Sequence, residues 1–231
     1  MCPAKLEILA YEPTPLGMLC LRRRALLAEP DTVVTEVTLN HEFLMSSYHT
    51  ASERALASVA LDMIPGKDLR VLVGGLGLGY TAAECLACER VGQVEVTELL
   101  PQVIDWLDQG LIPLAETLQS ERRLHVSQGD VYEQLRHPPQ KTFDVILIDV
   151  DHSPDDPLDG ANASFYREAG LRQARRHLTE NGILGVWSYA ESSPFADALQ
   201  QVFREVRIEA VTFTNAHINE EVTDWLFFAR G

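Results

Sequence analysis

The fold is decided by one stretch of the chain, Val71-Leu72-Val73-Gly74-Gly75-Leu76-Gly77-Leu78-Gly79. Its three leading apolar residues predict a buried strand, and the glycine-rich turn after them opens a predicted helix. Glycines at such a turn let the backbone approach a ligand closely and present the helix N-terminus to it. A tight structural turn would contain the same glycines, so the rest of the chain has to decide between the two interpretations.

From residue 70 to the end, short apolar runs alternate with helix-forming segments. Strands are predicted at 71–73, 94–97, 124–126, 143–148, 183–187, 206–213 and 224–229. Helices are predicted directly after the glycines and at 101–109, 164–177 and 194–203, with Asn181-Gly182 as the stop signal of the second of these three. This alternation predicts an α/β fold with a doubly wound, mostly parallel, Rossmann-like sheet.

The first 49 residues have a different character. β-prone runs at 6–11, 18–22 and 32–39 are separated by prolines and a glycine, which predicts a small antiparallel β element. A helix is predicted from Thr50 to about Met63, and Glu53 follows Thr50 at the spacing of a capping box. We therefore expect a small N-terminal β-rich element at 1–49 and a Rossmann-like, ligand-binding domain at 50–231.

Acidic residues follow three of the predicted strands. Glu98 lies about twenty residues after the glycines, where an acidic side chain can accept hydrogen bonds from both hydroxyls of a ribose. Asp130 can receive the amino group of an adenine, and Asp149 follows the fourth strand. Each of the three could instead be a helix cap, but together with the glycines they predict a nucleoside pocket at one edge of the sheet. The predicted binding residues are Gly74, Gly75, Gly77, Gly79, Glu98, Asp130 and Asp149. They do not separate a dinucleotide from an adenosyl-sulfonium compound.

These residues resemble the spermidine synthase (polyamine aminopropyltransferase) family, within the class I S-adenosylmethionine-dependent methyltransferase superfamily. The resemblance runs from about residue 41 to the end and is carried by 74–79, 98–104, 129–130, 143–149, 164–166 and 178–187. It implies a methyltransferase-type sheet and a donor substrate that is S-adenosylmethionine or decarboxylated S-adenosylmethionine. It also implies that Glu98 holds the donor ribose, that Asp130 holds the adenine and that Asp149 sits over the reacting centre.

The chain differs from that family at several positions. The family's aminopropyltransferases have an aspartate inside the glycine loop that grips the primary amine of the donor, and this chain has 76–78 (Leu-Gly-Leu) there. A second acid two residues after Glu98 is replaced by Leu100. The Asp-Ser-Ser-Asp-Pro type of motif is replaced by 149–154, which reads Asp-Val-Asp-His-Ser-Pro. We therefore interpret the chain as a divergent, short member.

The candidate catalytic residues are Asp149, Asp151 and His152. An amine acceptor is mostly protonated at neutral pH, so a carboxylate has to bind the ammonium and accept its proton. We expect Asp149 in that role, Asp151 as a second contact to a cationic acceptor, and His152 as an alternative acid or base. Further residues that could border the acceptor site are Tyr48, His49, Trp187, Tyr189 and His217.

The acidic loop that begins at Asp149 is also typical of a divalent metal site, because Mg²⁺ and Ca²⁺ prefer oxygen ligands. Metal-dependent methyltransferases of the catechol type complete such a site with an Asp-Asn pair after the fifth strand. Here 185–188 read Gly-Val-Trp-Ser, and the next carboxylate is Glu191. We expect no metal, and a loop that collects a cationic acceptor is the better interpretation.

The net charge of the chain limits the classes of partner that it is expected to bind. There are 34 acidic and 19 basic residues among 231, a formal net charge of −15. A nucleic-acid partner is not expected, because a phosphate backbone needs a basic footprint, whereas a small cationic acceptor is compatible. No apolar run approaches the roughly 18 residues that span a membrane, and the first residues do not resemble a secretory signal. A cytoplasmic location is expected, and a homodimer is a compatible assembly.

Three classes of function fit these observations. The first is an alkyltransferase that moves an aminopropyl or a methyl group from the donor to a small, amine-containing acceptor. The second is a catalytically silent module that has kept the adenosyl pocket and lost the chemistry. The third is a nicotinamide-dependent oxidoreductase, which is the least favoured because no matching substrate domain is present in the sequence.

Overall fold

The computed structural model describes residues 6–26, 29–150, 153–156, 160–215 and 220–231. The strands in these ranges are β1 (Leu6–Thr14), β2 (Gly17–Ala25), β3 (Val33–Leu39), β4 (Glu42–Ser46), β5 (Leu69–Gly74), β6 (Val91–Glu98), β7 (Leu124–Gln128), β8 (Phe143–Ile148), β9 (Leu178–Ser188), β10 (Glu205–Asn215) and β11 (Glu220–Arg230). The α-helices are α1 (Ala51–Met63), α2 (Tyr80–Ala87), α3 (Pro101–Asp108), α4 (Ala115–Ser120), α5 (Val131–Arg136), α6 (Glu168–Arg175) and α7 (Ser193–Val202), and a 3-10 helix spans Gly160–Ser164. No helix in the described ranges has the length and apolar character needed to cross a membrane.

Seven of the described strands form one sheet in the order β10-β11-β9-β8-β5-β6-β7. The strands from β7 across to β9 pair in parallel, whereas β11 is antiparallel to both of its neighbours. The predicted doubly wound, mostly parallel sheet is confirmed. The chain order reverses at β5, which has β6 on one side and β8 on the other. In such sheets, ligands bind outside the carboxyl ends of the strands at this reversal.

The central strands are buried on both faces, so their carboxyl ends are held rigidly. In β5 and β8, alternate residues point into two separate cores. Val71 and Val145 belong to the core that α1 and α2 cover, while Leu72 and Ile146 belong to the opposite one. All four side chains have 0% exposure. A strand covered on both faces needs such a continuous apolar run.

The first four strands form a separate antiparallel sheet, with each strand paired to the next in the chain. This confirms the predicted N-terminal β element, although β4 was not expected from the sequence. Two hydrogen bonds join its first hairpin to α3. Trp106 Nε1 donates to Glu12 Oε2 at 3.0 Å, and Gln102 Nε2 donates to the Pro13 carbonyl at 3.3 Å. The small sheet therefore lies over the carboxyl edge of the large one.

Several predicted details are wrong. The stop signal at Asn181-Gly182 does not end a helix, because β9 already begins at Leu178 and runs through it, and α6 is shorter than predicted. The capping box of α1 is not formed. Thr50 is the N-cap residue but makes no side-chain cap hydrogen bond, and the Glu53 side chain points into a cavity described below.

Candidate active site

The glycine-rich turn joins β5 to α2 and lies against the end of β8. Gly75 has a φ of +94°, and a Cβ atom built there would lie 2.2 Å from the backbone oxygen of Asp149. Gly77 has a φ of +51°, and its Cβ would lie 2.8 Å from Sδ of Met45. A side chain at either position would be strained and would clash. The two glycines therefore let the turn approach both Asp149 and the N-terminal sheet.

Glu98 ends β6 and holds this turn in place. Its Oε2 accepts a hydrogen bond from the Leu76 amide at 2.7 Å, and its Oε1 accepts one from the Leu100 amide at 2.8 Å. Burial raises the pKa of Glu98, and the backbone amides counteract that rise. The amides of Gly77 and Leu99 also lower the pKa of Glu98, so the carboxylate is surrounded by backbone donors. The residue predicted for the ribose thus also stabilises the glycine turn.

Asp130 is the N-cap of α5. Its Oδ1 accepts hydrogen bonds from the amides of Tyr132 at 2.8 Å and Glu133 at 3.3 Å. The capping alternative considered from the sequence is therefore realised. Neither of these bonds uses Oδ2, and the residue also lines a cavity. Its contact with an adenine stays a prediction.

A cavity lies between the two sheets, and we call it the large lobe. Its empty volume is about 1030 Å³, including the open mouth. One wall is made by the carboxyl ends of β5 to β8, including Gly75, Glu98, Asp130 and Asp149. The facing wall comes from the N-terminal sheet and is apolar, with Leu16, Leu19, Val37, Leu39, Leu44 and Met45. The large lobe thus has the mixture of apolar walls and a few polar groups that is typical of small-molecule sites.

A smaller cavity adjoins the large lobe at Gly77 and Asp149, and we call it the acidic lobe. Its empty volume is about 480 Å³. It is lined by Leu44, Met45, Glu53, Leu76, Gly77, Leu78, Gly79, Tyr80, Asp149 and Trp187. Asp149 borders both lobes and therefore lies at their junction.

Two hydroxyl groups connect the carboxyl groups around the acidic lobe. Thr81 Oγ1 lies 2.5 Å from Asp149 Oδ2 and 3.2 Å from the backbone oxygen of Glu53. Ser52 Oγ lies 2.6 Å from Asp224 Oδ2 and 3.2 Å from Glu53 Oε2. Residues from α1, α2, the end of β8 and β11 are thereby brought into one hydrogen-bonded group.

The three carboxyl groups of this lobe are harder to ionise than usual. Burial, as the largest cause, raises the pKa of Asp149 to about 6, although the hydrogen bond from Thr81 lowers it. Burial and then the charge of Asp149 raise the pKa of Glu53 to about 8. Burial also raises the pKa of Asp224.

In the described part of the chain, the carboxyl groups around the acidic lobe lack the basic partners that another buried carboxylate has. Glu36 in the N-terminal sheet pairs with Arg22 and Arg24 at 2.9 and 2.7 Å. Burial raises the pKa of Glu36, but the two arginines outweigh it and the pKa is lowered. By contrast, none of the three carboxyl groups around the acidic lobe forms an ion pair with any part of the chain that the structure describes. The lobe therefore favours a ligand that brings positive charge.

Other predicted residues lie elsewhere or outside the described residues. Asp151, His152 and His217 fall outside the described residues. Tyr48 and His49 do not line either lobe, since the Tyr48 hydroxyl donates to Glu29 and the His49 ring stacks on Phe213. Tyr189 is 45% exposed and donates to Asp156. Across the described residues, no group of three or more His, Cys, Asp or Glu side chains is arranged to hold a metal ion.

Sequence reasoning missed Glu53, Ser52 and Asp224. Glu53 had a simpler local explanation as half of a capping box, and Asp224 is 172 residues from its partner Ser52. One signal was available. Asp224 directly precedes the apolar run 225–229 (Trp-Leu-Phe-Phe-Ala), and an acid buried beside such a run needs a reason.

The strand order, with its single antiparallel strand β11, defines an α/β protein of the methyltransferase type. Two solved structures share this fold over 96% of the chain. One is spermidine synthase in complex with the transition-state analogue AdoDATO, with a TM-score of 0.75 and 19% identity over 73% of that chain. The other is spermidine synthase from Thermotoga maritima, with a TM-score of 0.73 and 17% identity over 72% of that chain.

Curated proteins point to the same group. The chain is 29% identical over 138 residues to a polyamine aminopropyltransferase of Prochlorococcus marinus (strain MIT 9312), which is 60% of this chain and 47% of that protein. It is 33% identical over 123 residues to polyamine aminopropyltransferase 2 of Streptomyces coelicolor (strain ATCC BAA-471 / A3(2) / M145), which is 52% of this chain and 22% of that protein. The chain thus spans less than half the length of the curated relatives it matches. No family model matches it. The resemblance seen in the sequence is confirmed: the chain is similar in sequence to polyamine aminopropyltransferases and in fold to spermidine synthases.

Proposed function

We propose that the chain is a transferase that moves an aminopropyl group from decarboxylated S-adenosylmethionine to a small cationic amine. The observation that carries this proposal is the position of Asp149 between a large lobe suited to a nucleoside and an acidic lobe suited to an amine. The matched relatives, which are named polyamine aminopropyltransferases, support the same reaction.

The large lobe would hold the adenosyl part of the donor. Glu98 lines this lobe at the carboxyl end of β6 and would accept from the ribose hydroxyls alongside its backbone donors. Asp130 would receive the adenine amino group with the oxygen that its capping bonds leave unused. The apolar residues of the N-terminal sheet would cover the opposite face of the nucleoside, where burial of apolar surface contributes most of the affinity.

The acidic lobe would hold the charged amines. Family aminopropyltransferases use an aspartate of the glycine loop for the donor's primary amine, whereas here the loop reads 76–78 (Leu-Gly-Leu). A side chain at Gly77 would clash with Met45. Glu53 reaches the same lobe from α1, and we propose that it replaces the missing aspartate. This replacement favours aminopropyl transfer over methyl transfer.

The chemistry needs little beyond alignment and one base. Asp149 takes a proton from the acceptor ammonium, and the freed nitrogen lone pair attacks the carbon next to sulfur. The new N–C bond forms as the C–S bond breaks, and the bonding electrons stay on sulfur, which leaves as a neutral thioether. Positioning of the two reactants contributes several kcal/mol to such a displacement. A base whose pKa lies near the operating pH is well matched to the proton transfer, and the pKa of Asp149 is raised to about 6.

The test is product analysis with purified protein. The protein is incubated with a primary diamine and, in separate reactions, with decarboxylated S-adenosylmethionine or S-adenosylmethionine, and the products are identified by mass spectrometry. We expect methylthioadenosine and an aminopropylated diamine from the first donor. S-adenosylhomocysteine from the second donor would show methyl transfer instead. Binding of either donor without product, across a panel of amines, would favour the silent module. Asp149→Asn protein purified in parallel controls for contaminating enzymes.

A further inference from the structure

The hydroxyl of Ser52 lies between two carboxyl groups and has one proton to donate. Its oxygen is 2.6 Å from Asp224 Oδ2 and 3.2 Å from Glu53 Oε2. A single hydroxyl proton cannot serve two acceptors at these distances. If both carboxyl groups were ionised, one of them would face the hydroxyl oxygen without a proton between them. Two negative charges beside this shared hydroxyl are therefore unfavourable, and a proton on one of the two carboxyl groups removes the conflict.

The distances assign that proton to Glu53. The short contact is the one to Asp224, as expected when a hydroxyl donates to a charged carboxylate. The longer contact to Glu53 is consistent with a carboxylic acid that donates to the same hydroxyl. Thr81 does not serve as another hydrogen-bond donor to the Glu53 carboxyl group, because its short contact is with Asp149. Burial and the nearby Asp149 charge raise the pKa of Glu53 to about 8, which agrees with this assignment.

In the described part of the chain, no cation forms an ion pair with Glu53. Asp149 faces it from the end of β8, and Asp224 from β11. Tyr80 of α2 lines the same lobe with a neutral phenol. On α1 itself, Arg54 is the adjacent cation, but its guanidinium binds Glu84 at 3.0 Å and lies over the Tyr80 ring. A second negative charge next to Asp149 is thus unfavourable until a ligand supplies positive charge.

We propose that Glu53 is a neutral carboxylic acid in the free protein and releases its proton when a cationic amine enters the acidic lobe. The empty lobe then carries fewer negative charges than its two lining carboxyl groups, Glu53 and Asp149, suggest, and the occupied lobe gains one as the ligand arrives. Glu53 is in this sense a specificity residue, because at neutral pH a ligand with a positive charge favours its ionisation and a neutral ligand does not. The release of the proton on amine binding rests on the proposed function, whereas the neutral state of Glu53 in the free protein does not.

The protonation of Glu53 can be measured without any ligand. Glutamate side chains are labelled with ¹³C at the carboxyl carbon, and their NMR signals are followed between acidic and alkaline pH. We expect one glutamate to titrate near pH 8, to be missing in Glu53→Gln and to be retained in the control variant Glu116→Gln. Asp224→Asn should move the Glu53 midpoint downward, because Asp224 raises the pKa of Glu53. A Glu53 signal that titrates near the ordinary value for glutamate would overturn the proposal, whatever the protein's function.

Measuring proton release on binding tests whether amine binding ionises Glu53. Calorimetry of 1,4-diaminobutane binding at pH 7 in buffers of different ionisation enthalpy gives the number of protons released. We expect close to one proton for the wild-type protein and for Glu116→Gln, and close to none for Glu53→Gln. Equal release by all three proteins would overturn the coupling. If the wild-type protein binds no diamine at all, the coupling and the amine acceptor both fail, and the NMR titration still decides where the proton lies.

Discussion

Thr81 Oγ1 lies 2.5 Å from Asp149 Oδ2, and this contact joins the first turn of α2 to the end of β8. The Asp149 amide in turn donates to the Gly74 carbonyl at 2.8 Å. The side chain and the backbone of Asp149 are therefore both fixed by the strand–turn–helix unit that the glycines define. Its carboxylate is held at the junction of the two lobes before any ligand binds.

Thr81→Val should make Asp149 harder to ionise. The hydrogen bond from Thr81 lowers the pKa of Asp149, so its loss raises that pKa further above about 6. The proposed reaction needs the carboxylate, and activity is lost as pH falls through this pKa. The acidic limb of the kcat/KM profile should move to higher pH by about one to two pH units, since a charged hydrogen bond contributes about 1.5–3 kcal/mol. An acidic limb that stays in place would show that Asp149 is not the titrating group, and Thr212→Val on exposed β10 is the matched control.

Asp149→Asn should lower kcat by about 10²-fold or more, the usual range for removal of a general base. Asparagine has nearly the same shape and can still accept from Thr81, so the donor should bind about as well as before. Steady-state kinetics and calorimetry with the donor separate these two effects. Turnover close to that of the wild-type protein would mean that Asp149 is structural and that the proton goes to another group.

Glu98→Ala should weaken donor binding by about 1.5–3 kcal/mol, because the ribose hydroxyls lose a charged acceptor. It should also lower the melting temperature, since the buried amides of Leu76 and Leu100 lose their partner. Glu95→Ala on the same strand removes only an ion pair with Lys141 and is the matched control. Calorimetry with methylthioadenosine is the measurement, and unchanged affinity would show that the ribose assignment is wrong.

Asp130→Ala separates helix capping from adenine binding. Loss of the cap alone should cost about 0.5–2 kcal/mol of stability. Ser192→Ala removes the cap of α7, where Ser192 Oγ accepts from the Phe195 amide, and should cost a similar amount without affecting the ligand. We expect Asp130→Ala, but not Ser192→Ala, to weaken methylthioadenosine binding as well. If the two variants behave alike in both measurements, Asp130 is only a cap.

The parts of the site that sequence could predict are those fixed by local rules. A run such as 143–148 is strongly apolar, and β8 has the predicted bounds. Because parallel strands end at one edge of a sheet, Glu98, Asp130 and Asp149 had to come close together, and all three line the large lobe.

The acidic lobe could not be predicted because it depends on contacts between distant segments. Ser52 and Asp224 meet only when α1 packs against β9 and β11. The local pattern at Glu53 even favoured a wrong assignment, since its spacing from Thr50 fits a capping box. The β4 strand was missed for a similar reason, because a five-residue strand at the edge of a small sheet has little pattern of its own.

Met45 of β4 lines both lobes and meets Gly77 in the glycine-rich turn that follows β5. A ligand that fills the cavity has to touch both sheets at once and so acts as a non-covalent cross-link between them. The backbone amides of β4 should then exchange with solvent deuterium at a rate set by ligand occupancy, whereas those of β5, buried on both faces, exchange slowly in either state. The edge strand of the small sheet is thus a built-in reporter of whether the site is filled.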